Sequence, residues 1–400
     1  MYMANLTDTD CAQLCDRARQ AEPSDATSLQ ARAKQLHRLR ELAAELDQSA
    51  CLTPELGNSS FPTYLQNACP QLLQPTFDGV PWHALHAAAS GCAVVLFTVV
   101  FGGYDDLGSF IATQPRAVDE TPRAAKVCRF MFSDTHQPRT GPWRSVLVSP
   151  LPFPSNSARS AHALKTIPWQ LFPEARSVLY LDGKTVLDLT PLQIVAKWSA
   201  AAPLTVLRHP LIDPGRYTHG WLEEFGKERS AIDGRRRLGW ESDLRDLDLA
   251  LGTYCAEGGM CNVMAVPESS LMMWHRPADD CEGQMLARRV ALLQCAWLGE
   301  VSHLSQREQL SFPYAVRQVR AQHAIRWLQP AEYIGWWGWR SHSFERSLVK
   351  GRPCVRKRGA KSPWVRADAC SAKTACVRIV PARRPGRVKV VPKRCPGDTS

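Results

Sequence analysis

SVLYLDGKTVLD, residues 177–188, decides how this chain is read. Val178, Leu179, Tyr180 and Leu181 form an apolar run without Gly or Pro. A run that short, apolar on both faces, reads as a strand buried inside a sheet. It stops abruptly at Asp182-Gly183-Lys184. A carboxylate at the end of a buried strand is costly unless something there engages it. In open α/β sheets the carboxyl edge is where ligands bind. Gly183 lets the backbone turn and lets a ligand come close. Lys184 sets a cation beside the acid. Acid, glycine and base together can hold a metal with a diphosphate, or the diphosphate alone. The same residues also fit a solvated Asp-Gly turn. Only the neighbouring segments separate the two.

Outward from this stretch, short apolar runs alternate with polar, helix-compatible segments. The runs are 93–100, 127–132, 145–148, 178–181 and 204–207. Such alternation predicts an α/β domain with a mostly parallel sheet. Residues 158–169, 191–199 and 284–297 read as helices, 221–251 as a highly charged helical stretch, and a further helix is expected near Ser305. Before the sheet, two helices are expected in residues 1–50; in the second, Leu29, Leu36, Leu39, Leu42 and Leu46 recur at helical spacing. The expected organisation is a helical N-terminal region with a linker (1–88), an α/β domain (89–345) and a basic tail (346–400).

The charge is unevenly placed. Residues 346–400 hold 16 Lys and Arg against Asp368 and Asp398, a net +14. The other 345 residues therefore carry −3 of the total of +11. A near-neutral body gives no support to a nucleic-acid-binding fold. The tail has few apolar clusters and is expected to be flexible, with polyanion contact as its one suggested role. No apolar stretch is long enough to span a bilayer, the longest being CAVVLFTVVF at 92–101. The N-terminus lacks a basic and apolar leader pattern, so the chain as written is expected to be soluble. Its 14 cysteines form no CxxC pair, which argues against a structural zinc site. Cys92 and Cys128 lie in apolar runs and read as small buried hydrophobes. Cys255 with Cys261, and the tail cysteines, are disulfide candidates in a secretory lumen.

Four further segments carry chemistry. LFTVVFGGYDDL (96–107) is a strand ending in glycines, then Tyr104 for stacking on a base and Asp105 for accepting hydrogen bonds. RFMFSDT (129–135) is a second strand ending in an acid, Asp134, in a setting that equally suits a helix cap. RSAHALK (159–165) carries Arg159 and Lys165 six apart on a helix, as a phosphate clamp or a solvated face. His275 follows the apolar run 270–274, and SQREQLSF (305–312) offers Arg307, Glu308 and Gln309. A lone His is more often structural than a ligand, and such a polar cluster also suits an ordinary helix start.

In this order, GGYDDL, FSDT, Arg159 with Lys165 before Phe172-Pro173, YLDGK and REQLSF resemble the TOD/MUCI-type glycosyltransferase-like family over roughly residues 91–320. The resemblance implies a GT-A fold: a Rossmann-like, mostly parallel sheet flanked by helices, binding a nucleotide-sugar at the carboxyl ends of its strands. It implies a donor-binding set of Thr98, Gly103, Tyr104, Asp105, Asp134, Arg159, Lys165 and Lys184. It implies catalytic roles for Asp182, Arg307, Glu308 and Gln309, and a metal held by Asp182 with His275. Two departures stand out. Asp-Gly-Lys lacks the second carboxylate of an Asp-x-Asp motif, which leaves Mn²⁺ or Mg²⁺ dependence open. Glu308 stands where the family has Asp. The implied function is transfer of a sugar from a nucleotide-sugar to a glycan or other hydroxyl acceptor, in the Golgi or secretory lumen. The alternative is a non-catalytic sugar-binding or scaffold protein of the same fold.

Overall fold

The computed structural model of the protein describes residues 26–48, 77–102, 127–136, 142–199, 202–209, 244–257, 266–277, 280–304, 307–333, 336–339, 376–381 and 388–393. β1 (Val94–Val100, VVLFTVV) is buried at every position. β2 (Val127–Ser133) and β4 (Ser177–Leu181) are nearly as uniform. β-branched and aromatic residues on both faces suit strands covered from both sides. With β3 (Trp143–Leu147), β6 (Leu204–Arg208), β7 (Pro267–His275) and β8 (Ile325–Leu328) they form a seven-stranded sheet in the order β3-β2-β1-β4-β7-β6-β8. Six strands run parallel and β7 runs against them. The expected mostly parallel α/β sheet is therefore present, and all five expected strands are in it.

From β1 the chain moves outward to β2 and β3, then returns to lay β4 on the other flank of β1. The strand order reverses between β1 and β4. Their carboxyl ends therefore flank a crevice of the kind in which α/β sheets take ligands.

Helices cover both faces. One face packs Phe97, Phe130, Phe132, Val178 and Tyr180 with residues of α1 (Ala26–Gln48), α3 (Ser157–Thr166) and α7 (Cys281–His303). Here α2 (Trp82–Ala89) and α8 (Glu308–Gln318) complete the layer. The other face packs Leu96, Val100, Leu179 and Leu181 on α5 (Pro191–Trp198), with Trp198 stacked on Trp336. The helix expected over 158–169 is broken in two. Pro168 disfavours helical backbone at Ile167, so α3 ends at Thr166 and α4 (Pro168–Leu171) starts afresh. Asn156 caps α3, a Thr190–Gln193 capping box opens α5, and Asp280 caps α7. Of the charged helical stretch expected over 221–251, only the end is described, in α6 (Leu244–Ala256); residues 221–243 lie outside the described residues. Of the expected N-terminal hairpin, α1 is present; its other helix lies outside the described residues.

One expectation is corrected, at Cys92 and Cys128, and two strands fall in the tail. The tail contributes β10 (Cys376–Pro381) and β11 (Val388–Lys393). They join β9 (Trp337–Trp339) and β5 (Thr185–Leu187) in an antiparallel sheet ordered β11-β10-β9-β5. VRIV and VKVV alternate apolar and basic residues over too few positions to stand out against the tail's charge. Cys92 and Cys128 are buried, as expected, but they form a disulfide with a Cα–Cα distance of 5.8 Å. The register of β1 on β2 pairs Val95 with Cys128, which brings Cys92 within bridging range. Cys255, Cys281 and Cys295 are also disulfide-bonded.

Candidate active site

Two groups of side chains meet at the carboxyl edge of the parallel strands. The first lies at the ends of β1, β2 and β4. Gly102, just past β1, has φ +66° and donates its N–H to Asp134 Oδ2 at 2.8 Å. A Cβ there would come within 2.5 Å of Ser157 Oγ at the start of α3, so glycine is needed both for the turn and for the contact. Asp182 follows β4 and donates its N–H to Ser270 O on β7, at 2.8 Å. Its Oδ1 accepts from the Tyr180 hydroxyl at 3.3 Å, and its Oδ2 lies 3.5 Å from Lys184 Nζ. The Asp182 carbonyl accepts from Thr185 N–H at 2.8 Å, closing the Asp-Gly-Lys turn into β5.

The second group is built on Glu308, at the start of α8. Its Oε1 accepts from Lys165 Nζ at 2.8 Å and from Ser269 Oγ at 2.7 Å. Its Oε2 lies 3.2 Å from His162 Nδ1. Trp297 Nε1 holds the Glu308 carbonyl at 2.9 Å. Burial works to raise the Glu308 pKa. His162 and Lys165, with the hydrogen bonds from Lys165 and Ser269, outweigh it and hold the carboxyl well below the usual carboxylate range. Lys165 is 2% exposed and Glu308 7%, against 23% for His162. His162 is thus the side of the ion cluster that opens to solvent. Lys165 also sits over the Tyr180 ring, its ammonium 4.6 Å from the centroid.

Gln309 donates to Pro267 O at 3.1 Å, which pins the first turn of α8 to the start of β7, and Arg307 precedes that turn. The sheet edge, α3 and α8 thus bring Asp134, Lys165, Asp182, Lys184, Arg307, Glu308 and Gln309 to one side of the molecule. Gly103, Tyr104 and Asp105 lie outside the described residues.

Besides Lys165, whose buried ammonium is held by Glu308, three expected residues do not fit their expected roles. His275 ends β7, and because β7 is antiparallel it pairs with Ser177, at the opposite end of β4 from Asp182. Its Nδ1 lies 2.7 Å from Ser177 Oγ, and burial together with Arg176 lowers its pKa to about 4. It cannot share a metal with Asp182. Thr98 is fully buried within β1, on the face of Leu96 and Val100 and away from that of Phe97 and Tyr180. It does not reach the edge. Arg159 is engaged by Asp246 and by Leu304 O, the latter at 3.0 Å, and stacks over Phe153. It joins α3 to α6 and α7.

Sequence reasoning missed His162, Ser269 and Tyr180 as members of the site. His162 had a signal: it lies three residues from both Arg159 and Lys165, on one helix face. Ser269 had none. Neither had the pairing of His209 with Glu268, 3.7 Å apart where β6 and β7 meet. Among the described residues no three His, Cys, Asp or Glu side chains converge. Asp182 offers one carboxylate with an ammonium beside it. That donor set does not by itself fit a hard dication, which takes several oxygens.

The family model described as TOD1/MUCI70, glycosyltransferase-like domain matches residues 83–329. The probable hexosyltransferase MUCI70 of Arabidopsis thaliana is 26% identical over 249 residues, 57% of this chain and 38% of that protein. The chain thus spans about two fifths of the length of that relative. Solved structures with partial likeness include the galactosyltransferase LgtC with donor and acceptor sugar analogues (8% identity, 59% of this chain and 73% of that one, TM-score 0.31). Mouse xyloside xylosyltransferase 1 is another (9%, 60% and 85%, 0.32). A third is the mannosyltransferase Ktr4p of S. cerevisiae (12%, 79% and 84%, 0.30).

Proposed function

The chain belongs to the TOD1/MUCI70 glycosyltransferase-like family, and from that premise we propose that it is a GT-A-type enzyme moving a hexose from a nucleotide-sugar to a hydroxyl of a glycan acceptor. The observation that carries this is the pairing of Asp182 with Lys184 beside the β1/β4 crevice, with the Glu308 cluster on the same edge. In such a transfer the bond from sugar C1 to the diphosphate oxygen breaks and a bond from C1 to the acceptor oxygen forms. The acceptor gives up its hydroxyl proton, and negative charge collects on the departing phosphate. Lys184 is placed to offset that charge. Asp182 orients the donor. Arg307, just before α8, and Gln309, in its first turn, face the sugar or acceptor. Gly103, Tyr104, Asp105 and Asp134 hold the nucleoside. The described donor set does not fit a metal, and the positive charge beside Asp182 is that of Lys184.

Neither the family match nor the hexosyltransferase relative supports the non-catalytic alternative. The paired cysteines suit an oxidising compartment, which supports the Golgi or secretory lumen as the site of action. The basic tail is proposed to contact an anionic polymer.

The test is turnover of UDP-glucose, UDP-galactose and GDP-mannose by the purified chain. Asp182→Asn keeps the size of the side chain and is expected to lower turnover about 100-fold or more. Undiminished turnover in that variant overturns the assignment.

A further inference from the structure

Between the two halves of the site stands one side chain. Tyr180 lies on β4 two positions before Asp182, which follows the strand, and the contact of their side chains places both on the same face. Lys165 lies over its ring, 4.6 Å from the centroid. Its hydroxyl donates to Asp182 Oδ1 at 3.3 Å. Lys165 is in turn fixed by Glu308 at 2.8 Å, and Glu308 by Ser269 and His162. The contacts form an unbroken series: Ser269 and His162, Glu308, Lys165, Tyr180, Asp182.

We propose that Tyr180 is a positioning residue that couples the buried Lys165–Glu308 pair to the Asp182 carboxylate, and that Lys165 and Glu308 act on the donor through it. This rests on the glycosyltransferase reading for its consequence, but not for the coupling itself. Lys165 is buried and its ammonium is already given to Glu308. A lysine so placed is poorly suited to clamp a phosphate. What it does is fix the plane of the Tyr180 ring from one side. The ring has a single hydroxyl, and fixing the ring fixes where that hydroxyl meets Asp182. A carboxylate beside the Lys184 ammonium, 3.5 Å away, could otherwise rotate to follow the lysine. The Tyr180 bond holds one oxygen in place and leaves the other to Lys184. Orientation of this kind is felt chiefly in the transition state.

The experiment has two arms. In the first, the Asp182 carboxyl resonance is followed by ¹³C NMR in full-length protein labelled at aspartate, assigned by its loss in Asp182→Asn. Glu308→Asp and the milder Ser269→Ala are each introduced into the wild type and into Tyr180→Phe. The phenylalanine keeps the ring beneath Lys165 and removes only the hydroxyl. Both perturbations are expected to move the Asp182 signal when Tyr180 is present and to leave it still when it is Phe. A signal that ignores both perturbations in the wild type, or moves equally in both backgrounds, overturns the proposal. Should Glu308→Asp not fold, Ser269→Ala alone decides.

In the second arm, turnover of the three nucleotide-sugars is measured. Tyr180→Phe is expected to lower kcat about 10-fold, the loss typical of one hydrogen bond to a charged group, with the donor KM nearly unchanged. Wild-type kcat in Tyr180→Phe overturns the proposal. Coupling in the NMR arm in a wild type that turns over none of the three donors sustains the coupling and counts against the hexosyltransferase reading alone.

Discussion

Among the described residues two ionic clusters are buried at their centre and touch α8. One surrounds Glu308 at the first residue of the helix: a single acid facing Lys165 and His162. The other reaches Tyr314, six residues on. There Arg32 of α1 donates to both oxygens of Glu300 at 3.0 and 3.1 Å and to Glu257 at 2.8 Å, and Arg40 reaches Glu257 from the solvent side at 3.1 Å. Arg32 also donates to the Tyr314 hydroxyl at 2.9 Å, and Tyr314 stacks on Tyr254 with centroids 4.2 Å apart. The balance differs around each buried acid: two cations face Glu308, and one, Arg32, faces Glu300. Glu308 has an excess of cations and its pKa is pulled down. At Glu300 burial dominates, Arg32 offsets it only in part, and the pKa is pushed up. The first cluster opens to the site edge through His162. The second reaches solvent at Glu257 and ties α1, which precedes the family-matched segment, to α6, α7 and α8. Burying a charge does not by itself mark a functional group. What separates the two clusters is the charge in excess around the buried acid.

The comparison breaks if both clusters respond alike to losing their central residue. The largest effect is expected for Glu308→Gln. It leaves the Lys165 ammonium buried without its acid, which costs about 3–5 kcal/mol of stability. It should also depress turnover per folded molecule, because the series to Asp182 is cut. Arg32→Ala should cost a similar ~3–5 kcal/mol, since Glu300 is left buried and unopposed. Its turnover per folded molecule should match the wild type. Urea denaturation paired with activity at low denaturant measures both. A drop in turnover for Arg32→Ala of the size seen for Glu308→Gln would falsify the division into a site cluster and a packing cluster.

Acid titration sharpens the contrast. A depressed acid such as Glu308 contributes stability that is present above its ordinary pKa of 4.5 and is lost as pH falls through its lower folded value. Glu300 has the opposite sign. Its raised pKa means that the folded state holds the proton more tightly, so its ionisation opposes folding above that value, and the penalty is relieved as pH falls towards 4.5. Melting temperature recorded from pH 7 to pH 3 should therefore lose part of its acid fall in Glu308→Gln. It should lose part of any rise on the way down to pH 4.5 in Glu300→Gln. Identical profiles for the two variants would remove the electrostatic distinction.

The smallest effect is expected at Gly102. Alanine at φ +66° costs about 1–2 kcal/mol, and its Cβ would press on Ser157. The Gly102–Asp134 bond should weaken with it, so nucleoside diphosphate binding by calorimetry should fall more than stability does. Unchanged binding in Gly102→Ala would separate this corner from the site.

Much of this was legible in residue order. Strands buried on both faces must be continuous apolar runs, and VVLFTVV, VCRFMF and SVLYL are such runs. Each ends in residues a buried strand would not otherwise carry: Gly102, Asp134 and Asp182. Since six strands are parallel, their ends fall on one edge, and the site is gathered by topology alone. Residue order therefore determined five of the seven strands, the edge at which they end and the acid-glycine-lysine turn. It did not determine partners separated by long stretches of chain. The run 270–274 was visible as apolar, but apolarity carries no direction. Only pairing with β4 and β6 showed β7 to be antiparallel, and that one reversal carries His275 to the far edge. Lys165 and Glu308 lie 143 residues apart, as do no neighbours that periodicity can link. Cys92 met Cys128 through strand register, and the tail's short strands gained their place by pairing with β9. Local pattern sets which face of an element is buried. Which element meets that face is decided by packing the whole chain at once, and the partners of Glu308, Arg32 and Asp182 were settled there.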